Sequence, residues 1–180
     1  TSSYDLDIIE YLFENGLITR DTKVICNGFK YERYLAKIFE LRAKGQDIQP
    51  ILESETELEA FLSRTDLHFE VGMRLNLDDN LLKGKFNFDR LSSSIDSRFG
   101  FFFDDLQRCS KRIFASPNLV FKTLHFHLGG MIDDLDIYQE LITFIYKNNY
   151  CVLKKNIQTL GYFDVGGGLP AQYSVDFNFN

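Results

Sequence analysis

No stretch of this chain approaches the roughly 18 consecutive apolar residues that a membrane span requires, and no basic, apolar and small-residue succession marks a secretion signal. A membrane protein is excluded as a reading, and no membrane partner is expected. Cysteine is scarce. Cys26, Cys109 and Cys151 are odd in number and have neither paired nor metal-ligand spacing, which excludes a disulfide framework and points to a reducing, cytoplasmic setting. Positive charge is also short: 20 Lys and Arg stand against 26 Asp and Glu, a net charge of −6, and the basic residues are scattered. That leaves no electrostatic footprint for nucleic acid. No Gly-Lys-Ser/Thr follows a glycine loop and no dinucleotide fingerprint is present, so the two commonest nucleotide sites are absent. Nor does any His, Cys and carboxylate set have metal spacing. Asp133, Asp134 and Asp136 cluster, but at a helix start they read as caps that complement the helix dipole.

What is present fits one domain over residues 1–180. The chain is 44% apolar and 15% aromatic, enough to fill a core, with no internal repeat or low-complexity tract. It opens on Thr1-Ser2-Ser3 instead of Met, and is expected to be a piece of a longer polypeptide.

The apolar period switches between 3.6 and two along the chain. A helix is expected over Asp5–Asn15, ended by Gly16, and a short strand over Lys23–Cys26 stops at Asn27-Gly28. Tyr31–Lys44 reads as a helix closed by Gly45, and Ile48–Glu53 as a strand. Ser54-Glu55-Thr56-Glu57 has the form of a capping box and opens a helix to Arg64. Phe69–Asn76 is a strand, and Leu77–Arg98 a long polar excursion without a period. Asp104–Ala115 is helical, Leu119–His127 a strand, Asp134–Asn148 a helix, and Ile157–Val165 the last strand.

Such alternation implies parallel strands joined by right-handed crossovers, in an open doubly wound sheet or a barrel. Candidate functional residues decide between the two. Asn27, Glu53, Arg74, His127 and Gly166 all fall at carboxyl ends of successive strands, and closing the sheet points five such ends at one place, where an open sheet gathers two or three. The expectation is an α/β fold of the (β/α)8, TIM-type kind, present as a partial barrel of about five parallel strands. Those strands would leave two unpaired edges, through which the isolated piece would associate unless the rest of its polypeptide covers them.

Two segments stand out: Leu124-His125-Phe126-His127-Leu128-Gly129-Gly130 and Asp164-Val165-Gly166-Gly167-Gly168-Leu169-Pro170. Consecutive glycines let backbone N–H groups turn toward an anion with no Cβ in the way, and a flat imidazole one strand earlier can lie against a ring. Each signal has a plainer reading. Glycines also end strands to make turns, and Arg74 taken alone is equally a salt-bridged barrel residue. His125 is expected to face the helix layer and be merely packed, and His68 to lie at the surface.

With Asn27-Gly28-Phe29-Lys30, Leu52-Glu53-Ser54-Glu55-Thr56-Glu57-Leu58, Gly72-Met73-Arg74-Leu75-Asn76 and Ser97-Arg98-Phe99-Gly100, these segments occur in the order seen in the fold-type III pyridoxal-phosphate decarboxylases. The chain resembles that group, which has an alanine-racemase-like barrel and includes the ornithine, diaminopimelate and arginine decarboxylases. The wording of the Asn-Gly-Phe-Lys and Leu-His-Phe-His-Leu-Gly segments is most similar to the biosynthetic arginine enzymes. The resemblance implies pyridoxal 5'-phosphate as cofactor, His127 stacked on its ring, Gly166, Gly167 and Gly168 under its phosphate, and Arg74 facing the cofactor site. It implies a small amino-acid substrate, arginine going to agmatine and carbon dioxide in polyamine biosynthesis, and a parent enzyme that is a homo-oligomer.

One departure stands at Gly130, where these enzymes usually carry a serine that also reaches the phosphate. The lost hydroxyl removes a hydrogen bond of about 0.5–1.5 kcal/mol. The family's Schiff-base lysine sits in a Tyr-x-x-Lys sequence ahead of the matching region, and its pyridine-facing glutamate follows that region. Lys30 does not match the lysine position, so no catalytic residue is assigned in this chain. The other class left open is a non-catalytic barrel remnant that binds pyridoxal phosphate or another phosphate, with a regulatory or assembly role.

Overall fold

The computed structural model describes residues 2–77, 99–128 and 135–167. Most of the expected Leu77–Arg98 excursion, Gly130, the Asp133-Asp134 pair and Gly168 lie outside them. Helix α1, Ser3–Glu14, begins earlier than the apolar stripe suggests because Ser2 and Asp5 cap it reciprocally: the Asp5 N–H donates to Ser2 Oγ and the Ser2 N–H to Asp5. Then follow β1 (Val24–Cys26), α2 (Glu32–Ala43), β2 (Ile48–Leu52), α3 (Glu55–Leu62), β3 (Phe69–Arg74), α4 (Phe103–Ala115) and β4 (Leu119–His125). Helix α5 (Leu135–Ile145) runs on past the expected end at Asn148, through one π-helical turn, Tyr146–Tyr150, into α6 (Cys151–Asn156). Strand β5 shrinks to Tyr162–Asp164, since Ile157–Leu160 is a turn closed by the Leu160 N–H on Ile157 O.

All pairings are parallel and the strand order is β1-β2-β3-β4-β5, the same as the chain order. A doubly wound sheet needs a point where that order reverses, and none occurs among the described residues. Right-handed crossovers in unbroken order put every helix on one side, and the sheet curls with its other face inward. The result is a curled half-barrel.

Alternation sorts the strand residues between those faces. Phe69 packs edge-to-face on Phe39 of α2 and Phe61 of α3, and Phe163 meets Phe126, Tyr146 and Tyr150, so this face holds the apolar core under the helices. The opposite face is polar. Gln49 on β2 donates to the Thr123 hydroxyl on β4 at 3.0 Å, reaching across β3. Gly72 lies between them, and a Cβ there would sit 2.2 Å from Ile51 Cδ1 and 3.0 Å from Thr123 O, so a side chain at that point would displace Ile51 and crowd β4.

Cys26, Cys109 and Cys151 are free, and burial pushes the Cys26 thiol up to about 11. Among the described residues no helix is long and apolar enough to cross a membrane.

Helix α1 is held to α2 by charge. Glu10 takes both Lys37 and Lys44, while Asp7 pairs with Arg33 at 3.1 Å. Hydrogen bonds from the two lysines hold the Glu10 carboxyl at about 2 against an ordinary 4.5. A carboxylate depressed in the folded state stabilises above its unfolded pKa and loses that contribution as pH falls through the folded one. Docking of α1 should therefore be constant above about pH 4.5 and weaken from there toward pH 2. Amide exchange along Ser3–Glu14 measures it, and Glu10→Gln should flatten the profile.

Candidate functional site

The site is assembled at the carboxyl ends of the strands. After β1, Gly28 turns at φ +84° and its N–H donates to Glu53 Oε1 at 2.9 Å. Glu53 follows β2, its side chain fully enclosed, and accepts Nη1 of Arg74 at 3.3 Å on both oxygens. Arg74 ends β3 with its guanidinium 5.7 Å from the centre of the Phe99 ring. The returning segment Phe99–Phe101 locks onto the same place. The Gly100 N–H donates to Glu53 O and that of Phe101 to Arg74 O, while Asn76 donates to Phe101 O. Gly100 is required there, since its φ is +92° and a Cβ would come within 2.9 Å of Arg74 O.

Below this ring lies a second buried network. Lys30 Nζ donates to Gly28 O at 2.8 Å, to Ile51 O, and to Glu57 Oε2 at 3.3 Å. The Ser54 hydroxyl accepts the Glu57 N–H, as a capping box requires, but the Glu57 carboxylate does not return to Ser54. It accepts the backbone N–H groups of Lys30 and Glu53. The box is half-formed because its glutamate is spent on tying two strand ends together. Burial lowers the Lys30 pKa, with Glu57 and Glu53 opposing.

On the far side, His127 follows β4 and Gly166 follows β5. Gly166 sits at φ +71°, and a Cβ on it would lie 2.7 Å from Phe126 O and 2.9 Å from His127 Nδ1, so its backbone rests on the imidazole. Among the described residues, an added Cβ on Gly167 would meet nothing within 4 Å. Burial lowers the His127 pKa from its ordinary value, and the positive charge of Arg74 lowers it further, which favours the neutral ring.

His125 corrects the sequence reading. Residues two apart on a strand share a face, so it joins His127 on the inward side instead of packing among the helices. Its Nδ1 lies 3.1 Å from Asp164 Oδ2 on β5. The sequence reading does not include Asp164 in the site, although its place two residues before three consecutive glycines is a signal for it. Its other oxygen, Oδ1, accepts the Gly166 N–H at 2.9 Å.

The five strand-end positions are thus brought to one rim: Gly28, beside Asn27, to Glu53, Glu53 to Arg74, and His127 to Gly166. Among the described residues no group of three or more His, Cys, Asp and Glu gathers as a metal site. Asp136 lies in the first turn of α5.

A parallel half-barrel that gathers an arginine, an imidazole and a glycine turn at the carboxyl ends of its strands belongs to the β/α-barrel class. The family model described as the pyridoxal binding domain of the pyridoxal-dependent decarboxylases matches residues 18–179, and the chain belongs to that family. The family's cofactor is pyridoxal 5'-phosphate. Arginine decarboxylase of Avena sativa is 30% identical over 156 residues, covering 83% of this chain and 25% of that protein. Biosynthetic arginine decarboxylase of Prochlorococcus marinus (strain MIT 9303) is also 30% identical over 156 residues, covering 83% of this chain and 23% of its own length. The chain spans about a quarter of these relatives. Among solved structures, diaminopimelate decarboxylase from M. jannaschi superposes with a TM-score of 0.73 at 17% identity, over 99% of this chain and 39% of that one. Biosynthetic arginine decarboxylase from Campylobacter jejuni gives 0.65 at 21%, over 92% and 26%. Both show the barrel fold.

Proposed function

We propose that this chain supplies the cofactor-holding face of a pyridoxal-phosphate-dependent decarboxylase that acts on arginine, releasing carbon dioxide and agmatine for polyamine synthesis. The observation that carries the reading is the Gly166 backbone laid against the His127 ring beside the open position of Gly167. The residues present fit the cofactor. The neutral face of His127 suits stacking on a pyridine ring, and the turn at Gly166 and Gly167, followed in sequence by Gly168, suits its phosphate. Within that turn the Gly166 N–H is already committed to Asp164, so Gly167 presents the first amide for the anion. Arg74, paired through Nη1 with Glu53, brings a guanidinium to the same rim, with its remaining N–H groups available to an anion. Gly130 stands where a serine would add a further donor. Bound pyridoxal phosphate supplies the electron sink for the bond to the departing carboxylate. Arginine is favoured over other basic amino acids by the arginine decarboxylases at about 30% identity.

Lys30 has no part in the covalent chemistry in this reading, because its ammonium is buried on Gly28 O, Ile51 O and Glu57. The chain by itself should bind pyridoxal phosphate without turnover. His127→Ala should weaken that binding by up to about tenfold, the worth of one aromatic stack, with little change in the thermal midpoint. The test is equilibrium titration with pyridoxal phosphate, and carbon dioxide release from arginine, ornithine, lysine and diaminopimelate by the whole polypeptide. A preference for another of these substrates overturns the arginine assignment. Absence of pyridoxal-phosphate binding overturns the cofactor face.

A further inference from the structure

We infer that Asp164 is a positioning residue, partnered by His125, that clamps the glycine turn to the end of β4 and so sets the gap between the His127 ring and the Gly167 amide. The inference rests on the cofactor reading above for its consequence, and on geometry alone for the clamp. Each oxygen of one carboxylate meets a different element: Oδ1 accepts the Gly166 N–H at 2.9 Å, and Oδ2 lies 3.1 Å from His125 Nδ1, a close approach without the alignment of a hydrogen bond. The contact with Gly166 is an Asx-turn, which bends the chain two residues on and brings Gly166 into its left-handed conformation. Since Gly166 bears on His127, moving the carboxylate moves the turn relative to the ring.

Phe163 anchors the middle of this strand on Phe126, Tyr146 and Tyr150, but among the described residues the backbone ties that reach its carboxyl end are few. Strand β5 has three residues and pairs with β4 alone among the described strands, in the register Thr123 with Tyr162, Leu124 with Phe163 and His125 with Asp164. Beyond that ladder one further bond follows, from the Phe126 N–H to Asp164 O at 3.1 Å. A turn hung on so short an edge strand would pivot without a side-chain tie. The electrostatics agree: burial raises the Asp164 pKa, but His125 and the Gly166 N–H outweigh it and keep the carboxylate ionised.

The test uses the 180-residue chain with three variants. Asp164→Ala removes both contacts, Asp164→Asn keeps volume and an acceptor for Gly166, and His125→Ala removes the partner. Without ligand, NMR of the Gly166 and Gly167 amides and the His127 ring should show large shifts and broadening in Asp164→Ala, smaller ones in Asp164→Asn, and unshifted amides in β2 and β3. With pyridoxal phosphate as probe, Asp164→Ala should bind about tenfold more weakly, the worth of a lost charge-assisted hydrogen bond. Asp164→Asn should recover part of that loss. His125→Ala added to Asp164→Ala should cost nothing more, because the two act as one unit.

Unmoved His127 and Gly167 resonances in Asp164→Ala, or additive effects of the two alanine substitutions, overturn the clamp. If the alanine variant fails to fold, the same comparisons on Asp164→Asn and His125→Ala decide. A parent chain that binds no pyridoxal phosphate defeats the cofactor reading instead, and the ligand-free spectra still judge the clamp.

Discussion

Replacing Lys30 by methionine is expected to destabilise the chain by about 3–5 kcal/mol, the cost of breaking a buried ion pair from one side. The side chains of Lys30 and Glu57 are 0% and 2% exposed, so solvent screening does not reduce this figure. Once Lys30 is gone, the Glu57 carboxylate keeps the N–H groups of Lys30 and Glu53 but has no counter-charge. Gly28 O and Ile51 O lose their donor at the same time. The damage reaches the strand-end rim in two steps: the Asn27–Lys30 loop loosens, and with it the Gly28 N–H that steadies Glu53 against Arg74. Glu57→Gln should cost less, since an amide oxygen still accepts one of the two N–H groups. Urea unfolding at unchanged m-value measures both. A loss below about 1 kcal/mol for Lys30→Met would mean that water reaches the pair and that it behaves as a surface ion pair.

Neither network around Lys30 was readable in the linear chain, and the reason is distance. Glu57 lies 27 residues from Lys30, and nothing local distinguishes a lysine that will be buried from one at the surface. Only the half of the capping box that Ser54 supplies is a local event, and that half forms as the motif requires. The barrel was legible because its signals are local and repeated: each β-branched run ends in a glycine or a charged residue, and each helix has a stripe and a stop.

Boundaries failed where polarity misled. Asn148-Asn149 looked like a helix end, yet Asn149 is buried inside a π-helical turn and Asn148 Nδ2 donates to Phe144 O at 2.8 Å, so the helix passes through. Ile157 and Leu160 looked like a strand start, but their apolar side chains pack from a turn. His125 was misplaced although strand periodicity fixes its face, and its partner Asp164 is 39 residues away on another strand.

Two adjacent glycines should give opposite results, and the contrast separates folding from ligand binding. Gly166→Ala is expected to cost about 2–4 kcal/mol, from left-handed backbone that an L side chain resists and from a methyl group forced against a neighbouring carbonyl. At φ +71° the new Cβ would sit 2.7 Å from Phe126 O and 2.9 Å from His127 Nδ1, and neither is the far end of a flexible side chain. Gly167→Val should leave stability within about 0.5 kcal/mol, as for an exposed site, because nothing among the described residues lies within 4 Å of the added Cβ. Yet that open space is where a phosphate would approach the turn, and a branched side chain fills it. Pyridoxal-phosphate affinity should then fall by about a hundredfold or more, equivalent to about 2.7 kcal/mol. Thermal melting and a cofactor titration on the same two variants read both quantities. Unchanged affinity in a stable Gly167→Val would remove the turn from the site, since no rearrangement of the fold would be left to account for continued binding. A destabilised Gly167→Val would instead show that the position is packed against something, and the cradle would have to be sought elsewhere on the rim.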